Sequence, residues 1–117
     1  MEFGLLIAAG CLGIFIATIH GYLGQTLLLN QTSLRTETAN RMLFAVFHLS
    51  TLYWLAGGML LLWLAFADDA RLSQWGGGLV AATYLAAAAA NCWASRGRHF
   101  GWMLLTGTAV LTLVAIW

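Results

Sequence analysis

The stretch FGLLIAAGCLGIFIATIHGYL, residues Phe3 to Leu23, decides the fold of this chain. It carries no charged group, and its only strongly polar side chain is His20. Apolar runs of about 18 residues or more read as helices long enough to span the hydrocarbon core of a membrane. The run starts at Phe3, is too long for a secretory signal and lacks a basic segment before it, so it is expected to be a retained helix. It ends in the polar stretch Asn30-Gln31-Thr32-Ser33-Leu34-Arg35-Thr36-Glu37-Thr38-Ala39-Asn40-Arg41.

The rest of the chain repeats the pattern. Hydrophobic residues make up 62% of the 117 and charged residues 8%, against roughly 25% charged in soluble domains. Apolar spans are expected over about 3–26, 41–66, 74–94 and 99–117, separated by Asp68-Asp69-Ala70-Arg71 and by the turn Ser95-Arg96-Gly97-Arg98. The fold class is therefore all-α, an integral membrane antiparallel four-helix bundle in one domain, since short connections join neighbouring antiparallel helices. Capping chemistry predicts that the second helix begins near Thr38 or Asn40. Proline is absent, so no span carries a proline kink. Cys11 lies mid-span and Cys92 at a span end, which opposes a disulfide; both read as small apolar core residues.

Arginine sets the orientation. Arg35, Arg41, Arg96 and Arg98 fall on one side and Arg71 on the other, beside Asp68 and Asp69. The positive-inside rule places the first and third loops in the cytoplasm and both termini outside. Lysine is absent and the net charge is +1, so no nucleic-acid footprint exists. Ala9, Gly13, Ala17 and Gly21 recur at four-residue spacing and form a smooth ridge. The third span is small on most faces through its run Ala86 to Ala90. Both are expected to make tight internal contacts, with self-association as the alternative.

The polar residues point at one end of the bundle. His20 lies near the end of the first span, and His48 lies about 10 Å into the second at 1.5 Å per residue, so the two share a depth. His99 starts the fourth span on the same side, and Gln25 and Asn91 add amides. Thr51 lies one turn from His48, and Tyr22 and Tyr53 are near. Polar groups inside spans are costly and mark candidate sites. His20, His48 and His99 are candidate ligands for zinc, copper or iron, and paired imidazoles can hold haem. With Tyr22, Thr51 and Asn91, the His20/His48 pair is equally a candidate quinone or proton-relay site. Hydrogen bonding between helices is the plainer reading of the same residues. All four carboxylates lie at span ends or in loops, which disfavours a proton-coupled exporter. No Ser/His/Asp arrangement supports a hydrolase.

Three stretches carry a resemblance: His20-Gly21-Tyr22-Leu23-Gly24-Gln25, Phe47-His48-Leu49-Ser50 and Ser95-Arg96-Gly97-Arg98-His99-Phe100-Gly101-Trp102. They resemble an uncharacterised family of small bacterial four-span membrane proteins, whose members look like H-x-x-L-G-E and W-H-L-T at the first two. This chain has Gln25 in place of the acid and Phe47 in place of the tryptophan. The resemblance implies four spans in a bacterial inner membrane and no particular activity. Two function classes follow: a redox-associated binding protein using the histidine cluster for a metal, haem or quinone, or a non-catalytic accessory subunit. The expected partners are the lipid bilayer and either a larger membrane complex or further copies of the chain.

Overall fold

The second and third helices begin where a side chain satisfies free backbone N–H groups. In a computed structural model describing residues 2–117, α1 runs Phe3–Leu23 and continues into a π-helical segment, Gly24–Leu29. Then come α2 (Glu37–Ala65), α3 (Ala70–Ser95) and α4 (Gly101–Ile116). Thr36, in extended conformation, accepts from the Ala39 N–H at 3.2 Å and starts α2 earlier than Thr38 or Asn40. Asn40 closes the loop instead, its Oδ1 accepting from Leu34 N–H at 2.8 Å and folding that segment back onto the helix. Asp69 accepts from the N–H groups of Arg71 and Leu72, so α3 begins at Ala70 rather than near Gln74.

The α3–α4 turn closes by backbone geometry. Arg96 and Gly97 adopt φ of 52° and 74°, and Gly97 N–H reaches the Cys92 carbonyl at 2.8 Å. This left-handed exit satisfies carbonyls that the helix end leaves free. His99 stays outside α4 instead of starting it, and its Nδ1 accepts from Gly101 N–H at 3.2 Å.

The four helices are antiparallel, and each packs against its chain neighbours while α4 closes on α1. The body measures 50 × 24 × 19 Å. The small-residue ridge of α1 faces inward as expected: Ala9, Gly13 and Ala17 are buried. At Gly58 of α2 a Cβ would stand 2.8 Å from Ile14 N and 2.9 Å from Gly10 O, so the two backbones touch there. Tyr84 of α3 fills the centre, its hydroxyl donating to the Trp54 carbonyl at 2.7 Å. The alanine run departs from expectation: Ala88 is buried, but Ala86, Ala89 and Ala90 line the outer surface. Cys11 also faces outward, and both cysteines are free.

The end of the first helix is the main surprise. Gly24 meets the Phe47 ring so closely that no Cβ fits. The helix widens there, and the Thr26 hydroxyl donates to Tyr22 O at 2.9 Å, supporting a carbonyl at the junction. Phe3–Leu29 and Glu37–Ala65 are each long and apolar enough to cross a membrane. At 16 residues α4 is apolar but short, and α3, with its glycines and Asn91, falls below the same measure.

Candidate functional site

The widened turn delivers Gln25 to His48. The Gln25 Nε2 donates to Asn30 Oδ1 at 2.7 Å, which orients its Oε1 toward His48 Nε2 at 2.9 Å. An amide oxygen only accepts, so His48 Nε2 carries the proton. Ser50 makes the same assignment for His20. Its hydroxyl proton goes to the Phe47 carbonyl at 2.7 Å, so the 3.3 Å contact with His20 Nε2 has the imidazole as donor. In each ring Nδ1 is left without a hydrogen-bond partner among the described residues, and in the neutral tautomer it is the bare lone pair.

Aromatic rings frame the pair. Phe47 stacks on His20 with centroids 4.2 Å apart and 12° between planes, and Trp54 tilts against the same imidazole at 4.3 Å. Phe44 meets His48 edge-on at 4.3 Å, and Phe47 approaches His48 at 6.1 Å. Phe47 thus contacts both imidazoles. Beside Phe44 lies a recess of about 320 Å³, lined by Leu29, Thr32, Asn40, Arg41, Leu43 and Phe44. Its volume is at the small end of the range for small-molecule pockets.

The remaining candidates divide. Thr51 packs its methyl group where a Cβ of Gly21 would be 2.9 Å away, and its hydroxyl bonds Phe47 O at 3.2 Å, so it joins α1 to α2 beside His20. Asn91 is half-buried at the same end, 3.7 Å from the Cβ position of Gly101 and near the His99 ring. Tyr22 does not join them: its ring is 67% exposed on the outer surface, because residues two apart point to different sides of a helix. Tyr53 also faces outward. Among the described residues no three His, Cys, Asp or Glu side chains gather as a metal-ligand set. His99 is engaged at the start of α4 through Gly101 N–H, and Phe47 packs against both His20 and His48.

Residues absent from the sequence-derived site are the aromatic frame and Ser50. Their signal was present: Phe44, Phe47, His48, Thr51 and Trp54 follow the three- and four-residue spacing of one helix face. Compared with known proteins, the chain matches no family model, no curated protein and no solved structure.

Proposed function

We propose that the chain is a four-span protein of the bacterial inner membrane that binds the headgroup of a lipid-soluble quinone at its arginine-bearing end. Support for the membrane begins with what faces outward. Only 33% and 11% of the most apolar stretches of Phe3–Leu29 and Glu37–Ala65 are buried, whereas the core helix of a soluble protein would be mostly covered. Large side chains such as Phe15, Leu49, Leu52 and Met59 point away from the bundle. On α3, Trp75 and Trp93 are 81% and 83% exposed. They stand 18 residues apart on one face, a rise of about 27 Å, which matches a hydrocarbon core of roughly 30 Å with its interfacial aromatics. That spacing supports α3 as a span despite its glycines. Arg35, Arg41, Arg96 and Arg98 at one end support a cytoplasmic face there and periplasmic termini.

The observation that carries the ligand reading is the recess beside Phe44, with an imidazole behind the ring whose Nε2–H is already committed. The recess has room for one ring-sized headgroup. Asn40 uses its oxygen on Leu34 and keeps its amide N–H groups for a ligand carbonyl, and the Thr32 hydroxyl is a second donor. His48 does not line the recess but backs the Phe44 ring that does, so its part is to hold that wall of the recess in place. A metal or haem shared by His20 and His48 is less favoured, because Phe47 would have to leave the space where both imidazoles approach it.

The test is organic extraction of the protein purified in mild detergent, followed by chromatography with ultraviolet detection. Quinone is expected in the wild-type extract and is expected to be lost in Asn40→Leu and His48→Leu. A quinone-free extract together with near-stoichiometric metal or a haem absorbance band would sink this reading. A second reading, an accessory subunit docked on a larger membrane complex, draws on the nearly unburied outer face of α2. It predicts a colourless, quinone-free protein that co-purifies with larger subunits.

A further inference from the structure

We propose that the α3–α4 turn is a binding site for the phosphate of an anionic phospholipid, whose acyl chains lie along the outer face of α3. This rests on the membrane reading above and is independent of the quinone site. A recess of about 800 Å³ opens at the turn, lined by Cys92, Trp93, Ala94, Arg96 and Gly97. Arg98 follows immediately. Among the described residues the only ion pair is Arg41–Glu37, so Arg96 and Arg98 carry uncompensated charge.

The turn holds this charge in place. Gly97 N–H bonds Cys92 O, Arg96 N–H bonds Trp93 O at 3.2 Å, and the Trp102 indole donates to Gly97 O at 3.4 Å. These bonds also occupy carbonyls at the α3 C-terminus, which reduces the negative end of the helix dipole that an anion would meet. Basic pockets at the cytoplasmic ends of spanning helices are suited to anionic headgroups.

Below the recess, α3 presents Ala82, Ala86, Ala89 and Ala90 outward between the two exposed tryptophans. Leu79 stands on the same face at 64% exposure, so the shallow strip runs from Ala82 to Ala90, about 12 Å at 1.5 Å per residue, which accommodates the upper part of an acyl chain lying parallel to the helix. Charge selects lipid over a second copy of the chain. A copy related by a two-fold axis along the membrane normal would bring its own Arg96 and Arg98 to the same level, like against like. No acidic residue at this end is free to offset them, because Glu37 already holds Arg41.

The full chain is reconstituted in phosphatidylcholine vesicles containing a minority of phosphatidylglycerol brominated on the acyl chains near the glycerol. Quenching of Trp93 is isolated as the difference between the wild type and Trp93→Phe. Brominated phosphatidylglycerol is expected to quench more effectively than brominated phosphatidylcholine. Its relative affinity is expected to fall about fivefold for each of Arg96→Gln and Arg98→Gln, from the ~1 kcal/mol typical of an interfacial arginine. Arg71→Gln at the opposite end is expected to leave it unchanged. Equal quenching by the two lipids in a chain that resists carbonate extraction overturns the site. An equal loss in Arg71→Gln also overturns it, since the effect is then general surface potential. Abolition by inorganic phosphate overturns the choice of lipid as the source. Release of the chain by carbonate overturns the membrane reading, and this proposal with it.

Discussion

Gly58→Ala inserts one methyl group where α1 and α2 touch, and the structure allows its effect to be worked out. The added Cβ would sit 2.8 Å from Ile14 N and 2.9 Å from Gly10 O. Ordinary contact begins at 3.4 Å, so the helices must part by about 0.6 Å, from 3.4 minus 2.8. Both obstructing atoms belong to the α1 backbone and cannot rotate away. Overpacking of this kind costs about 1–3 kcal/mol. Alanine also favours the helix over glycine by about 1 kcal/mol, which offsets part of that cost. Gly78→Ala isolates the offset, because nothing lies within 4 Å of a Cβ there. The difference between the two variants therefore reports the clash alone, and Gly58→Ala should be the less stable by about 1–3 kcal/mol. Equilibrium unfolding in mixed micelles, followed by circular dichroism, measures both. If Gly58→Ala unfolds at the same denaturant level as Gly78→Ala, the close approach of α1 and α2 is wrong.

Three further outcomes are expected. Gln25→Leu removes the acceptor of His48 and the donor to Asn30, costing about 1 kcal/mol. Amide exchange should then accelerate across Gly24–Leu29, and unchanged exchange would show that the widened turn does not depend on this pair. Ser73 is fully buried, and its hydroxyl has no partner among the described residues. Ser73→Ala should stabilise the protein by about 1 kcal/mol in the same unfolding assay, whereas a loss of that size would reveal a hidden partner for the hydroxyl. A membrane-impermeant thiol reagent applied from the periplasm to single-cysteine variants should label Asp69→Cys and spare Arg35→Cys. Reversed labelling would invert the orientation.

Much of the architecture was legible because it depends on repeating chemistry. Apolar runs broken by Asn30–Arg41, Asp68–Arg71 and Ser95–Arg98 define four helices. The four-residue spacing of Ala9, Gly13, Ala17 and Gly21 identifies the inward face of α1, since small side chains are what let backbones meet. The start of α2 was not legible. Thr36, Thr38 and Asn40 are all competent caps, and the choice depends on Asn40 bonding Leu34 across the loop. The π-helical turn was hidden for a similar reason: it begins at Gly24, where the Phe47 ring of another helix takes the place of a side chain. Tyr22 was misplaced for a reason available in the sequence. At 100° per residue it stands about 200° around α1 from His20, so both could not face the interior.

Phe47 determines what kind of site two histidines at one depth can make. Shared depth brought His20 and His48 together in the sequence, and depth says nothing about what stands between neighbouring side chains. Phe47 lies flat on one imidazole and presents itself edge-on to the other, with interplanar angles of 12° and 86°. The same ring fills the space that Gly24 leaves open, so turning it away would expose a gap between α1 and α2. Each histidine is thereby tied to its own neutral oxygen, Ser50 for one and Gln25 for the other. Two imidazoles bonded to separate oxygens, with Phe47 packed against both, are already engaged within the bundle. On our proposal, a single ion would have to draw both imidazoles away from these partners to one point, at the 2.0–2.1 Å typical of a zinc–nitrogen bond. The proposed choice of an organic headgroup over a metal therefore rests on Phe47, packed against both imidazoles, more than on the pair itself.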